Sequence, residues 1–480
     1  MTGRLKAFTI SCLTESIICL NWKNNYIMKR REFIEKTAAG TAGISFGPAF
    51  FSTGSSYKGA NDKIVLALIG SGARGTGAII NACKINTNVE LKTICDVNDV
   101  KASKAISSAE KELGYKPGHS RNMKEIFNDR DIDAVWIATP EHWHALAAVR
   151  ACQAGKDVYV EKNPTISIWE GRKMIEAAEK YKRVVQVGFQ NRSATYAFSA
   201  RDYIKSGKLG NIVHVKSYNM LGGSKWMPKP DSPVPAGLDW DAWLGPAPYV
   251  PYNPNIHDME ERGGWGNYWA YSGGVLADDA SHVLDLARLV LGDPGHPVSV
   301  YGWGGNYAWG SEKETPEFQD ITYDFGKFTL TCDSGNATNY MKKTPTNIRM
   351  DTNLFPDWRT NATRTEIYGT EGIMYLGRHG GGWQVMGEDS KVIAQDGGLF
   401  PDDYHQKDFI ESIRTRRKPN GDVVQGQFSA SLVHLGNITY RTGNRQLFFD
   451  PEKECFIGNE DANRLLKSSY RENYRMPETV

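Results

Sequence analysis

The sequence predicts an α/β domain followed by an α+β domain: a doubly wound parallel sheet, then a second domain built on a large, mostly antiparallel sheet. Three observations carry this. An unbroken apolar run, Ile64 to Ile69, stops abruptly at glycines and reads as a strand buried on both faces. Short apolar runs then alternate with helical patterns at steady spacing as far as Phe189, the signature of strand–helix–strand units. From residue 297 to 395 the runs alternate apolar with polar, as in antiparallel strands with one face covered.

Taken in order, the first strand leads into Gly70, Gly72 and Gly75 at G-x-G-x-x-G spacing. The first glycine permits a tight turn, the second lets backbone approach a pyrophosphate, and the third allows close helix–strand packing. Leu91 to Asp96 supplies a second strand with a terminal acid. Asp96 can accept hydrogen bonds from a ribose diol and would repel a 2′-phosphate, so the expected cofactor is NAD in preference to NADP. Val100 to Leu113 is helical in pattern, and Met123 to Phe127 starts a short helix. Ala134 to Ala138 is a third strand, ended by Thr139-Pro140, where Thr can cap a helix and Pro fits its first turn. The helix that follows carries His142 and His144. Asp157 to Val160 is a fourth strand, ending in Glu161-Lys162-Asn163-Pro164; Glu170 to Tyr181 is a helix, and Val184 to Phe189 a fifth strand. Ligands of such sheets bind beyond the carboxyl ends of the strands, so Gly70, Asp96, Thr139, Pro140, Lys162 and Gln190 are expected to converge on one crevice.

The second domain opens with a helix at 199–206 and a strand at 212–218. A long irregular region follows, 220–271, holding Trp226, Trp240, Trp243, Trp265 and Trp269. Loops this long are usually functional, and tryptophans argue for order; their faces suit stacking on sugars, or packing of the loop itself. In Gly273 to Asp285, Asp278 and His282 stand four apart, on one face if the segment is helical. A histidine is suited to take a hydroxyl proton, a neighbouring carboxylate to orient it, and an ammonium such as Lys162 to stabilise a developing alkoxide. Asp279 and Asp285 read as structural or capping acids. Helices are expected at 404–417, 428–440 and 461–470, the last in a polar tail.

The 480 residues allow two or three domains, and the net charge of +2 implies no nucleic-acid partner. Seven scattered cysteines, with no C-x-x-C pair, form neither a disulfide framework nor a zinc site, and no metal is expected. Cys95 and Cys152 read as core residues. Arg30-Arg31, followed by Phe33-Ile34 and an Ala/Gly-rich stretch to Phe51, resembles a bacterial twin-arginine signal, with Met28 an alternative start. That stretch is too short and glycine-rich for stable membrane insertion. The reading is thus an export signal and linker at 1–60 (signal 28–55), a dinucleotide-binding domain at 61–190, a substrate and oligomerisation domain at 191–450 and a tail at 451–480. The expected location is the periplasm, reached in folded form.

The motifs G-S-G-A-R-G, the Asp96 strand end, Ala-Thr-Pro-Glu-His-Trp-His at 138–144, Glu-Lys at 161–162, Gly-Phe-Gln-Asn-Arg at 188–192 and the Gly273–Asp285 segment together resemble the Gfo/Idh/MocA oxidoreductases. Asn163 stands where that family has proline, and Ala280 where it has glycine. The resemblance implies a Rossmann first domain and a catalytic trio of Lys162, Asp278 and His282. Gly70, Ser71, Gly72, Arg74, Gly75, Asp96, Thr139, Pro140, His144, Glu161, Lys162 and Gln190 would hold the cofactor, with His144 near the nicotinamide. It also implies a carbohydrate or polyol substrate and a homo-oligomer, dimer or tetramer, formed on the exposed sheet face. Three functions stay open: an NAD-dependent sugar or polyol oxidoreductase, a glycosidase using bound NAD transiently through C3 oxidation and elimination, and a non-catalytic sugar-binding protein. For the glycosidase, His257, Asp258 and Tyr271 are candidates for a separate base.

Overall fold

The computed structural model describes residues 62–257 and 264–480; the twin-arginine segment, Met28, Cys12, Cys19 and Asp258 lie outside the described residues. Strands β1 (Ile64–Ile69), β2 (Val89–Cys95), β3 (Gly118–Ser120), β4 (Ala134–Ile137), β5 (Asp157–Val160) and β6 (Val185–Val187) form one sheet in the order β3-β2-β1-β4-β5-β6. Every pair in it is parallel. The order reverses between β1 and β4, which opens a crevice beyond their carboxyl ends. Strand β3 carries no apolar side chain, so no pattern announces it; its ladder to Thr93–Cys95 orders it. Helices α1 (Ala73–Ile85), α2 (Asp99–Leu113), α3 (Met123–Asn128), α4 (Glu141–Gln153) and α5 (Ile168–Lys180) connect the strands. Asn98 caps α2 by accepting from the N–H groups of Val100 and Lys101, and Gly114, at φ +79°, ends it in the left-handed conformation.

Helix α6 (Thr195–Lys205) leads into a ten-stranded sheet made of β7 (Ile212–Met220), β8 (Ser299–Gly305), β9 (Phe318–Asp324), β10 (Thr329–Gly335), β11 (Thr363–Gly369), β12 (Gly372–Gly377), β13 (Trp383–Met386), β14 (Val392–Asp396), β15 (Leu447–Asp450) and β16 (Cys455–Phe456). Its order is β14-β13-β12-β11-β7-β10-β9-β8-β15-β16. All neighbours are antiparallel except β7 and β10, which the long crossover after β7 allows to run parallel. Helices α7 (Ser281–Val290), α8 (Asp402–Thr415) and α9 (Val423–Arg441) complete the set used below. Helices α6, α7 and α9 cover one face of the large sheet: Val283, Leu286, Leu432 and Leu435 pack with Val215, Ile321, Leu330 and Met374. The other face presents Tyr301, Trp303 and Phe448 to solvent.

Three expectations need correction. The helix expected at 404–417 begins at Asp402 and belongs to the first sheet, not the second: Phe409, Ile410 and Ile413 share a core with Trp136 and Tyr159. The tail is not simply polar, since Met476 and Val480 are buried in the core on the opposite face, near Trp143 and Met174. The helix expected at 461–470 is a single turn, Glu460–Arg464, capped by Asn459 and ended at Leu465. In the described part of the long region after β7, aromatic residues make a core of their own: Trp240 stacks on Trp243 at 4.7 Å, and Tyr252, Ile256 and Tyr271 pack around them. Cys83, Cys95, Cys152, Cys332 and Cys455 are free, and Cys95 and Cys152 are core residues as expected. Among the described residues no helix is long and apolar enough to cross a membrane.

Candidate active site

A cavity of about 1230 Å³ opens at the strand-order reversal. Gly70, Ser71, Gly72, Arg74, Gly75, Asp96, Thr139, Pro140, His144, Glu161, Lys162 and Asp278 all line it; Gln190 and His282 do not. Gln190 is buried in a 3-10 turn, Gln190–Ser193, just past the last parallel strand. Of the tryptophans, Trp226, Trp243 and Trp265 line the cavity, whereas Trp269 packs against Tyr440 and Arg441.

The turn after β1 fits a dinucleotide. Gly70 sits at φ +90°, and a Cβ there would lie 2.7 Å from the backbone of Ala138 and Thr139. A Cβ on Gly75 would lie 2.6 Å from that of Ala138, so Gly75 is what lets α1 pack against the end of β4. A Cβ on Gly72 would meet nothing within 4 Å: this glycine faces open space, where a pyrophosphate can approach the start of α1. The Asp96 carboxylate accepts from the Ser71 N–H and hydroxyl, both at 2.7 Å, and from the Asn98 N–H at 2.8 Å. It is thereby fixed beside the turn, where a ribose would lie.

Three cofactor candidates, Arg74, Glu161 and His144, already have partners within the chain. Arg74 donates to Glu161 at 2.9 Å and through both terminal nitrogens to Asp402, so its guanidinium ties the glycine turn to the end of β5 and the start of α8. Thr139 does not cap α4. Pro140 occupies the cap position and the helix begins at Glu141, which leaves the Thr139 hydroxyl one residue too early and without a partner. His144 braces two turns: Nδ1 is 2.7 Å from the Asn163 carbonyl oxygen and Nε2 is 2.8 Å from that of Thr139. Burial pushes its pKa down to about 4, against the pull of both carbonyls.

Lys162 donates to Asp278 at 2.9 Å. Burial works against its charge, but Asp278, Asp279 and Glu141 outweigh burial and raise its pKa, so Lys162 is an ammonium. Asp278 and His282 do not share a regular helical face as expected. The chain from Leu276 to Ala280 forms a π-turn broken at Asp278 (ψ −111°), which turns the carboxylate toward Lys162, while His282 lies in the first turn of α7. His282 is buried with its ring edge-on to Phe189, and its Nδ1 has no partner. Burial, then Arg378 and Lys162, push its pKa well down, so the ring is neutral. Asp279 is buried and paired with Lys343; burial opposes its charge, but Arg378 and Lys343 hold it well below the usual carboxylate range. Asp285 is structural as expected, accepting from Arg192 at 2.6 Å and Ser429 at 2.7 Å inside the core.

Sequence reasoning missed Glu141. It is 3% exposed, lines the cavity at the start of α4, and its Oε2 has no partner. Burial pushes its pKa up to about 7, with Lys162 and Ser272 pulling the other way. Of the candidate separate bases, His257 lines the cavity, while Tyr271 packs against His142 and Trp243 and does not.

This fold and site define a dinucleotide-binding oxidoreductase. Residues 64–189 match the oxidoreductase family with NAD-binding Rossmann fold, and residues 201–306 and 369–476 match the family's C-terminal alpha/beta domain. The chain belongs to the Gfo/Idh/MocA oxidoreductases. It is 28% identical over 204 residues to an alpha-N-acetylgalactosaminidase of Shewanella oneidensis, a match covering 38% of this chain and 44% of that one, less than half its length. It is 24% identical over 387 residues to the scyllo-inositol 2-dehydrogenase (NAD(+)) of Bacillus subtilis, covering 79% of this chain and 95% of that one. Among solved structures, levoglucosan dehydrogenase in complex with NADH and levoglucosan superposes with a TM-score of 0.57 at 18% identity, over 80% of this chain and 99% of the other.

Proposed function

We propose that this chain transfers hydride between a bound NAD and a secondary hydroxyl of a sugar or polyol. The observation that carries the reading is a single cavity that joins the glycine turn and Asp96 to the Lys162–Asp278 pair and to tryptophan faces. The dinucleotide, when bound, supplies the hydride acceptor or donor; Gly70, Gly72, Gly75, Ser71 and Asp96 would hold it. The chain's own residues handle the proton. Lys162, kept as an ammonium, donates to the substrate oxygen as negative charge develops. Asp278 aims that ammonium from the cavity side and is the carboxylate placed to take the hydroxyl proton, while His282, neutral and outside the cavity lining, has no contact with substrate. Asp96 beside the turn supports NAD over NADP, although Lys101 and Lys104 line the same end. The test is to denature purified protein and identify the released dinucleotide by absorbance and mass. Near-stoichiometric NAD is expected; an empty protein that binds NADP more tightly than NAD overturns the cofactor assignment.

Glu141 supports a second reading. A cavity carboxyl that exchanges protons near neutrality is what transient C3 oxidation, C2 deprotonation and elimination of an aglycone require. The galactosaminidase among the relatives is named for cleavage of that bond type. Aryl glycosides separate the readings: phenol release without added NAD or acceptor supports the glycosidase, and a keto-sugar with reduced dinucleotide supports the dehydrogenase.

We also propose export in folded form to the periplasm, supported by Arg30-Arg31, Phe33 and the small-residue stretch in that order. Replacing both arginines by lysine should leave the protein in the cytoplasmic fraction. Assembly as a homo-oligomer through the uncovered sheet face is supported by its exposed aromatic residues.

A further inference from the structure

Lys313 lies in the loop between β8 and β9 and lines the same cavity as Lys162. It is 7% exposed. Lysine is rarely this buried without a counter-charge, because an ammonium out of water costs several kcal/mol unless it is paired. Lys162 meets that requirement through Asp278. Lys313 has no such partner: among the described residues no carboxylate lies within ion-pair distance, and its ammonium makes no hydrogen bond. Glu317 acts on it electrostatically, but the Glu317 carboxylate is already engaged by the N–H groups of Ala308, Trp309 and Ser311 and by the Ser311 hydroxyl. Burial pushes the Lys313 pKa down to about 8, with Glu317 only partly opposing it.

The loop holds Lys313 in place. The Trp226 N–H donates to the Ser311 hydroxyl at 3.1 Å, and the Thr315 N–H donates to the Asn267 carbonyl at 3.2 Å, so the loop is pinned to the cavity wall on both sides of Lys313. Other wall residues also carry unused polar atoms. Asn219 Oδ1, Asn336 Oδ1 and Trp226 Nε1 are buried without partners. An ammonium without a counter-charge, in a cavity whose lining also includes Asn219, Asn336 and Trp226, describes the complement of a hydroxylated ligand with a negatively charged group.

We propose that Lys313 is a substrate-reading residue and that the natural substrate is an acidic sugar, carrying one anionic oxygen group: the carboxylate of a uronic acid or a sulfate ester. This rests on reading the cavity as a sugar site. A single ammonium suits a monoanion, whereas a phosphate dianion calls for several cations or an arginine fork.

The test is equilibrium binding to the full, dinucleotide-loaded chain by calorimetry. D-glucuronate and D-galacturonate are compared with their neutral hexoses, and D-glucose 6-sulfate with D-glucose. The wild type should bind at least one anionic sugar tenfold or more tighter than its neutral counterpart, and which one identifies the anion. Lys313→Met should remove that preference, so that the anionic sugar and its neutral counterpart bind it alike, and Lys313→Arg should keep part of it. Anionic sugars bound no more tightly than neutral ones by the wild type overturn the proposal, as does a preference that survives in Lys313→Met. Neutral sugars that bind and reduce the bound dinucleotide while the anion preference fails leave the oxidoreductase reading standing. No binding of any sugar sinks both.

Discussion

At the scale of single residues, the site depends on which groups hold protons. Lys162 is kept charged by Asp278, Asp279 and Glu141 against the cost of its own burial. Replacing it with methionine should lower turnover about 10³-fold, in the range for losing a positioned proton-transfer or alkoxide-stabilising group, and leave dinucleotide affinity within about threefold. Unchanged turnover would remove Lys162 from the mechanism. Glu141 makes a prediction with a definite sign. Its native pKa is pushed up to about 7 by burial, while the unfolded chain releases the proton near the ordinary glutamate value of about 4.3. Between those two values the native state holds more protons than the unfolded one, so this residue's contribution to stability falls as pH rises through the window. Glu141→Gln removes that loss. Its melting temperature relative to wild type should therefore rise between pH 5 and pH 8, with an upper bound on the order of 3 kcal/mol. A difference that stays constant with pH would mean that Glu141 does not titrate there. The same variant should flatten any limb near pH 7 in the turnover profile.

At the scale of elements, the glycine turn separates packing from binding. Gly75 lies inside α1, where alanine would ordinarily gain about 1 kcal/mol of helix propensity. The added methyl would stand 2.6 Å from the Ala138 Cβ and 2.8 Å from the Gly70 carbonyl oxygen, and overpacking of that kind costs about 1–3 kcal/mol, so the steric term wins. Gly75→Ala should lower the denaturant midpoint of the dinucleotide-free protein. Gly72→Ala should leave that midpoint within about 0.5 kcal/mol, because nothing lies within 4 Å, yet weaken dinucleotide binding tenfold or more by filling the space a pyrophosphate needs. If the two variants behave alike, the turn is not the phosphate cradle. This turn was legible because its chemistry is local: a buried strand, glycines at fixed spacing and an acid one unit later. Lys162 and Asp278 were readable through a family motif. The π-turn that brings them together was not, since a D-x-x-x-H spacing looks the same in any helix. Glu141 and Lys313 were illegible for a different reason. An acid at the start of a helix reads as complementing its dipole, and a lysine in a loop reads as solvated; only burial, set by distant segments, gives them a role. Helix α8 shows the same limit for the fold, because its pattern announces a helix but not that Phe409 will pack on Trp136 and Tyr159.

At the scale of the whole molecule, the large sheet leaves one face to be accounted for. Helices α6, α7 and α9 bury its inner residues, and strand alternation places Tyr301 and Trp303 together on the other side. Phe448, opposite Ser299 on the neighbouring strand, falls on that same side two positions before Tyr301. All three rings are about half exposed, at 45%, 51% and 56%. Large aromatic residues grouped on an open sheet are a contact surface more often than a solvated one. Around them the face is polar, with Thr322 opposite Tyr301 and Asp320 opposite Trp303, so an apolar centre has a hydrophilic rim. A two-fold contact on this patch would be self-complementary. Light scattering on the purified protein should therefore give a dimer or tetramer at micromolar concentration. Trp303→Glu, which places a charge at the centre of the patch and touches neither the cavity nor the inner core, should shift it to a smaller species while the melting transition stays cooperative. A monomeric wild type, or an assembly indifferent to Trp303→Glu and Phe448→Glu alike, would mean that the aromatic face does not make the oligomer.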